Sequence, residues 1–274
     1  MHLARFAPAL ALVLLPTTLS AQDRESDAEW LERCRRDDNR WSSDNRGRAC
    51  EVRNIPVRPS GRALSIDGER NGGIRVFGWD GDSVRVTARM QAEGRSDSDA
   101  RDRLARIRVA ADGRSVRAEG PSMDGDYGGW SVSYFVYVPR RFDLDLEAHN
   151  GGLSVDGVTG RLDLQTHNGG LMLSSVGGDV RARTQNGSLN VQLTGSRWDG
   201  TGLEAETRNG SVRLAVPEQY SAQLETGTVN GSIRTDIPVT LSGRISRTLS
   251  IPLGGGGRTI RAMTTNGSVT ITRR

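Results

Sequence analysis

One dipeptide dictates what this chain can fold into. Asn-Gly recurs at Asn150-Gly151, Asn168-Gly169, Asn186-Gly187, Asn209-Gly210, Asn230-Gly231 and Asn266-Gly267. The first two steps are 18 residues, the next two are 23 and 21, and the last is 36. Self-similarity at such a period is the signature of a repeat architecture. Aligned on the Asn, the copies share columns. Three residues after it stand Leu153, Leu171, Leu189, Val212, Ile233 and Val269, and five after it Val155, Leu173, Val191, Leu214, Thr235 and Ile271. Six before it stand Leu144, Leu162, Val180, Leu203, Leu224 and Ile260. Two before it, Ala148 is followed by Thr166, Thr184, Thr207, Thr228 and Thr264. Apolar residues at steps of two share one face of an extended strand. Each copy therefore holds two short strands, one on either side of the Asn-Gly. Asn and Gly both tolerate positive φ, so the dipeptide reads as the corner between them. Gly160 and Gly177-Gly178 mark a second corner.

Two all-β architectures satisfy these columns. In a parallel β-solenoid each copy is one coil of about 18 residues, and equivalent residues stack ~4.8 Å apart along the axis. In an antiparallel meander or sandwich each Asn-Gly is a two-residue hairpin turn. Hairpin pairing would also place Leu146 opposite Val155 on one face. The solenoid is the expectation, because the last step equals two periods. The register then survives a missing Asn-Gly near Thr248, as stacking between coils would allow. Aromatic residues make up only 5% of the chain against 34 glycines, which suits a thin core of aliphatic rows.

The rest of the chain divides by composition. Residues 1–21 read as a secretory signal, with Arg5 in a basic start, an apolar run from Ala9 to Leu15, and Leu19-Ser20-Ala21 before a cut ahead of Gln22. That run is too short to span a bilayer, and no later stretch is apolar enough to do so. The expected location is secreted or periplasmic, with no transmembrane segment after cleavage. Residues 22–60 form a charged arm, with seven Arg against eight Asp and Glu between Asp23 and Arg48. It is expected to be solvated and partly disordered, with Trp30 and Trp41 as its strong apolar contacts. Cys34 and Cys50 are the only cysteines. In an oxidising compartment they are expected to pair, closing a short loop worth about 3 kcal/mol in the chain-entropy model.

Residues 61–139 read as a less regular β region that caps the repeat. It contains an early Asn71-Gly72, one helix over Asp97 to Arg106 capped by Ser96 or Ser98, a hairpin turn at Asp112-Gly113, a glycine-rich loop from Gly120 to Gly129, and an aromatic strand from Trp130 to Val138. Residues 140–274 hold the repeat itself. Arg273-Arg274 at the far end would blunt an exposed edge with charge.

The Thr-x-Asn-Gly-x-apolar-x-apolar copies, the segment from Val216 to Ala222 and the run Thr228 to Ile233 resemble the DUF4097 family of bacterial β-strand repeat proteins, described as adhesins. The resemblance covers roughly Gly61 to Arg274. It implies a right-handed β-solenoid-like fold and a cell-envelope or secreted setting. It implies no established activity and supplies no catalytic residues.

Candidate chemistry is sparse. His149 and His167 share a column and could pinch a transition metal, but Gln185, Arg208, Val229 and Thr265 fill the same position elsewhere. Asp145 and Asp163 also share a column, at the separation of a retaining glycosidase pair. Arg181, Glu204, Glu225 and Arg261 continue that column, as an ordinary charged outer face would. Asp143, Asp145, Glu147 and Asp163 are the candidate calcium group. Asn186, Asn209, Asn230 and Asn266 fall in N-glycosylation sequons that the turn already explains. Gly254 to Gly257 would cradle an anion only ahead of a helix, and a strand pattern follows. Every basic residue apart from His is Arg, with both signs mixed and a net charge of only +4, which excludes a concentrated nucleic-acid face. No catalytic set, metal site or cofactor motif emerges. The expected function is a non-catalytic, adhesin-like envelope or secreted protein whose partner is a surface polymer or another protein. The alternative is a polysaccharide-active enzyme on a β-helix scaffold.

Overall fold

The computed structural model describes residues 25–36, 47–122, 129–237 and 248–274. The leader expected over residues 1–21, Trp41 and the middle of the glycine-rich loop lie outside the described residues. The described chain begins with α1 (Asp27–Arg36) and β1 (Gly47–Ile55), then β2 (Ala63–Asp67) and β3 (Ile74–Trp79) around Asn71. Next come β4 (Arg85–Gly94), α2 (Asp97–Ala105), β5 (Arg108–Ala111), β6 (Ser115–Glu119) and β7 (Trp130–Pro139). The repeat follows as β8 (Asp143–Ala148) with β9 (Leu153–Asp156), β10 (Thr159–Thr166) with β11 (Leu171–Ser174), and β12 (Gly177–Asn186) with β13 (Leu189–Gln192). It continues as β14 (Gly200–Asn209) with β15 (Val212–Val216), β16 (Ala222–Asn230) with β17 (Ile233–Thr235), β18 (Thr248–Leu253), and β19 (Thr259–Asn266) with β20 (Val269–Arg273).

The two strands flanking each Asn-Gly lie in different ten-stranded sheets, so the dipeptide turns the chain from one sheet to the other rather than forming a hairpin. Pairing between copies is parallel and in register. Leu144, Leu162, Val180, Leu203, Ile260 and Leu224 form one inward file, and Leu153, Leu171, Leu189, Val212, Val269 and Ile233 face it from the other sheet. Most of these side chains are fully buried, and each buried aliphatic side chain stabilises by about 2 kcal/mol. Among the described residues antiparallel pairs occur only towards the ends: β1 on β4, β4 on β7, β5 on β6 and β18 on β16.

The spatial order differs from the chain order. Across the second sheet the strands run β18-β16-β19-β14-β12-β10-β8-β2-β6-β5. The coil around Asn266 therefore sits between those around Asn209 and Asn230, and the 36-residue step is not two coils with one corner missing. The chain places the Asn230 coil one position too far out, reverses through β18, and returns to fill the gap. Charge favours this placement. Arg261 lies between Glu204 and Glu225 in register, and its guanidinium reaches Glu206 and Glu225 at 3.4 Å each. The terminal Arg pair is likewise not at an edge. β20 is interior, and Arg274 Nη2 donates to Leu193 O at 2.6 Å. The outer strands at this end are β17, only three residues long, and β18, which carries Pro252; both are devices that discourage further pairing.

The corner chemistry also differs from the expectation. Among the described residues, positive φ at a non-glycine residue occurs only at Glu69 and Ser175, and none of the ladder Asn residues has it. Of the ladder glycines only Gly267 does. Close approach explains the rest. A Cβ on Gly169, Gly187, Gly210 or Gly231 would run into the carbonyl of Gly151, Gly169, Gly187 or Gly267 respectively in the next coil.

At the other end α2 crosses from β4 in one sheet to β5 in the other, burying Ala100 and Leu104 against the core. Ser96 caps it, its hydroxyl accepting from Asp99 N. The charged arm is not a disordered tail throughout. It contains α1, and Cys34 of α1 is bonded to Cys50 of β1.

Candidate functional site

The Asn column is a continuous hydrogen-bonded ladder. Asn150 Nδ2 donates to Asn71 Oδ1 at 3.0 Å, Asn168 to Asn150, Asn186 to Asn168 and Asn209 to Asn186 at 2.8 Å each, then Asn266 to Asn209 and Asn230 to Asn266 at 2.7 Å. Beside it runs a second ladder. Thr166, Thr184, Thr207, Thr264 and Thr228 donate their buried hydroxyls to the carbonyls of Gly151, Gly169, Gly187, Gly210 and Gly267 at 2.7–2.8 Å. Gly151, Gly169, Gly187, Gly210, Gly231 and Gly267 are thus the seam between coils. Their role is architectural: they fix the spacing of every outward side chain.

His149 and His167 stack face to face, with ring centroids 4.8 Å apart and planes 3° from parallel. Parallel rings do not aim two nitrogens at one point, as a shared metal requires. They border an open groove of about 810 Å³ with Glu69, Arg70, Arg183 and Arg208. Asp145 and Asp163 are register partners on the open face of the second sheet, and both are exposed. Asp143 is committed to local structure, its Oδ1 accepting from Arg161 N at 2.7 Å. Together with Arg114, Arg161 and Arg181 these three aspartates line a shallow groove of about 480 Å³. Among the described residues no group of three or more His, Cys, Asp or Glu side chains converges to hold a metal.

A third concavity was not singled out from the sequence. On the outward face of the first sheet, β4, β7, β3 and β9 align Arg85, Tyr137, Phe77 and Asp156 in one row. The rings of Phe77 and Tyr137 lie 5.4 Å apart and tilted by 34°. Trp79 stands beside them, its Nε1 donating to Ser83 O at 2.9 Å and the Arg85 guanidinium 4.1 Å from its ring. Arg140 and Asp80 form a two-bonded fork, Nε to Oδ1 at 2.6 Å and Nη2 to Oδ2 at 3.3 Å. This pairing holds the Asp80 carboxyl below its usual range. Backbone makes the room: a Cβ on Gly78 would strike the Gly157 carbonyl, and Gly157 itself turns at φ 71°. The resulting groove has a volume of about 710 Å³, within the roughly 300–1,000 Å³ of small-ligand sites. The signal that could have found it is the pair of alternating aromatic positions, 77 with 79 and 135 with 137.

The first sheet's outer face is closed nearer its edge by α1. Arg89 is 5% exposed, donates to Asp27 Oδ1 at 2.8 Å and to Glu25 O at 2.7 Å, and stacks on Phe135 at 4.0 Å. Among the described residues no helix is long and apolar enough to cross a membrane.

Comparison with known proteins bears on fold. The family model described as Toastrack DUF4097 matches residues 110–272, more than half of the chain. No curated protein matches. A solved structure from Clostridium sporogenes ATCC 15579, provisionally named a cell adhesion protein, is 10% identical, with 82% of this chain and 100% of that chain covered at a TM-score of 0.49. One from Bacteroides fragilis NCTC 9343, provisionally named an adhesin, is 12% identical with coverages of 82% and 97% at 0.38. One from Parabacteroides distasonis ATCC 8503, provisionally named a lipid binding protein, is 10% identical with coverages of 82% and 96% at 0.32.

Proposed function

The chain belongs to the DUF4097 (Toastrack) family, and from that premise we propose that it is a non-catalytic, adhesin-like binding protein of the cell envelope or its exterior, taking a surface polymer or a protein as partner. Its parts in this reading are a cleaved leader over residues 1–21, an arm over 22–60, a capping region over 61–139 and the repeat over 140–274, wound as a right-handed solenoid. The observation that carries the reading is the double ladder of Asn amides and Thr hydroxyls. It holds the outward residues of successive coils at a fixed spacing over two long, mostly open faces, which suits an extended partner better than a small substrate. The disulfide within the arm accords with an oxidising compartment. The test is a pair of experiments on the mature protein: glycan arrays and pull-downs from envelope extracts. Capture of one polymer or protein class, saturably, is expected. Two empty results would sink the reading.

The groove of three aspartates and three arginines is the feature a polysaccharide-cleaving enzyme would use, and it favours that second reading. Against it stands the exposure of Asp145 and Asp163, since glycosidases set their two carboxyls apart by burying one. Hydrolase or lyase turnover that disappears in Asp163→Ala would establish the enzyme.

A further inference from the structure

The aromatic groove on the first sheet has the chemistry of a carbohydrate subsite. A pyranose ring has two apolar faces of C–H bonds and a rim of hydroxyls. Its C–H groups pack favourably on the electron-rich face of an aromatic ring, and its rim needs donors and acceptors side by side. Phe77 and Tyr137 supply neighbouring rings on one surface, 5.4 Å between centroids, and Trp79 supplies the flank. The Arg140–Asp80 fork supplies the rim contacts. Asp80 and Arg140 are 85% and 56% exposed in their side chains, so carboxylate oxygens and N–H groups both remain open to the groove side by side. A vicinal diol fits that edge, one hydroxyl donating to Asp80 and the other accepting from Arg140. Asp156, the register partner of Phe77 and a charge neighbour of Arg140, adds a second acceptor to the lining.

Charge chooses among sugars. The groove carries Asp80 and Asp156 against Arg140, with Arg85 over Trp79, and so is close to neutral. A uronate or sulfated sugar would have to displace Asp80 from Arg140 and face Asp156. We propose that this groove, built by Phe77, Tyr137, Trp79, Asp80, Arg140 and Asp156, binds neutral glycan. The proposal rests on the polymer-binding reading above and assigns it a site and a ligand class.

The test is isothermal titration of the mature protein with cellohexaose, maltohexaose and chitohexaose, and with hexagalacturonate as the acidic comparator. At least one neutral hexasaccharide is expected to bind. Phe77→Ala and Tyr137→Ala should each weaken it tenfold or more, Tyr137→Phe should stay within threefold, and Arg213→Ala on the exposed side of β15 should leave it unchanged. In case the alanine variants fail to fold, hydrogen exchange on the native chain gives an independent reading. Residues 77–81 and 137–140 should become protected on addition of the neutral sugar. Binding that ignores both alanine changes, binding of the acidic sugar alone, absence of any neutral binding, or protection elsewhere would each overturn the proposal. Envelope material captured equally by the native chain and the groove variants would remove this site and leave the adhesin reading standing. If the native chain binds no hexasaccharide, no glycan on the arrays and nothing from envelope extracts, both fall.

Discussion

At the residue scale the protein is held by a few small groups repeated many times. Thr184 is 6% exposed and its hydroxyl finds the Gly169 carbonyl in the next coil. Thr184→Val keeps the shape and removes that bond, and is expected to cost about 1 kcal/mol in denaturant melts. Gly187→Ala should cost more, about 3 kcal/mol, because its methyl meets a backbone carbonyl that the adjoining coil cannot move away. The columns of Asn, Thr and Gly were legible as a ladder from sequence alone. The reason for Gly was not, since a corner that needs positive φ and a seam that needs close approach select the same residue. Glu69 gives a pH test. Burial and the neighbouring Asp67 push its carboxyl above the usual range. A carboxyl raised in the folded state favours folding at low pH and opposes it once ionised. Glu69→Gln should therefore melt higher than the parent at neutral pH, and the gain should vanish as pH falls through the folded pKa towards the unfolded value.

At the scale of elements, α2 was readable and α1 was not. α2 announces itself through Ser96, Ala100 and Leu104 at helical spacing. α1 lies among charges of both signs, and the partner that holds it, Arg89, is 62 residues away in sequence. Arg89→Ala removes three charge-assisted bonds, to Asp27 Oδ1, Glu25 Oε2 and Glu25 O, and the stacking on Phe135, and is expected to cost about 2 kcal/mol. Hydrogen exchange should speed up over residues 27–36 while the coils around Asn168 and Asn186 stay protected. The aromatic groove escaped sequence reading for the same reason. Phe77 and Tyr137 become neighbours only through the parallel pairing of β3 with β7.

At the scale of the whole molecule, periodicity revealed the parallel stack but not the order of its coils. A 36-residue step fits two coils in line equally well, and only cross-coil partners such as Arg261 with Glu225 distinguish the arrangements. Deleting residues 259–274 removes an interior coil rather than a tip. In that variant residues 222–235 and 248–253 should exchange as unfolded chain, although all of them are present, while strands up to Asn209 remain protected. An ordinary end-fraying solenoid would show graded loss instead. The same inserted coil sets a schedule for biogenesis. Whether released by a ribosome or by an export channel, Ala222 to Thr235 emerges before the segment it must rest upon. That stretch waits beside a vacant berth, its sticky strand edges uncovered, until Thr259 to Arg273 arrives and locks both into place. Slow or interrupted delivery would expose the protein to misassembly at this one place.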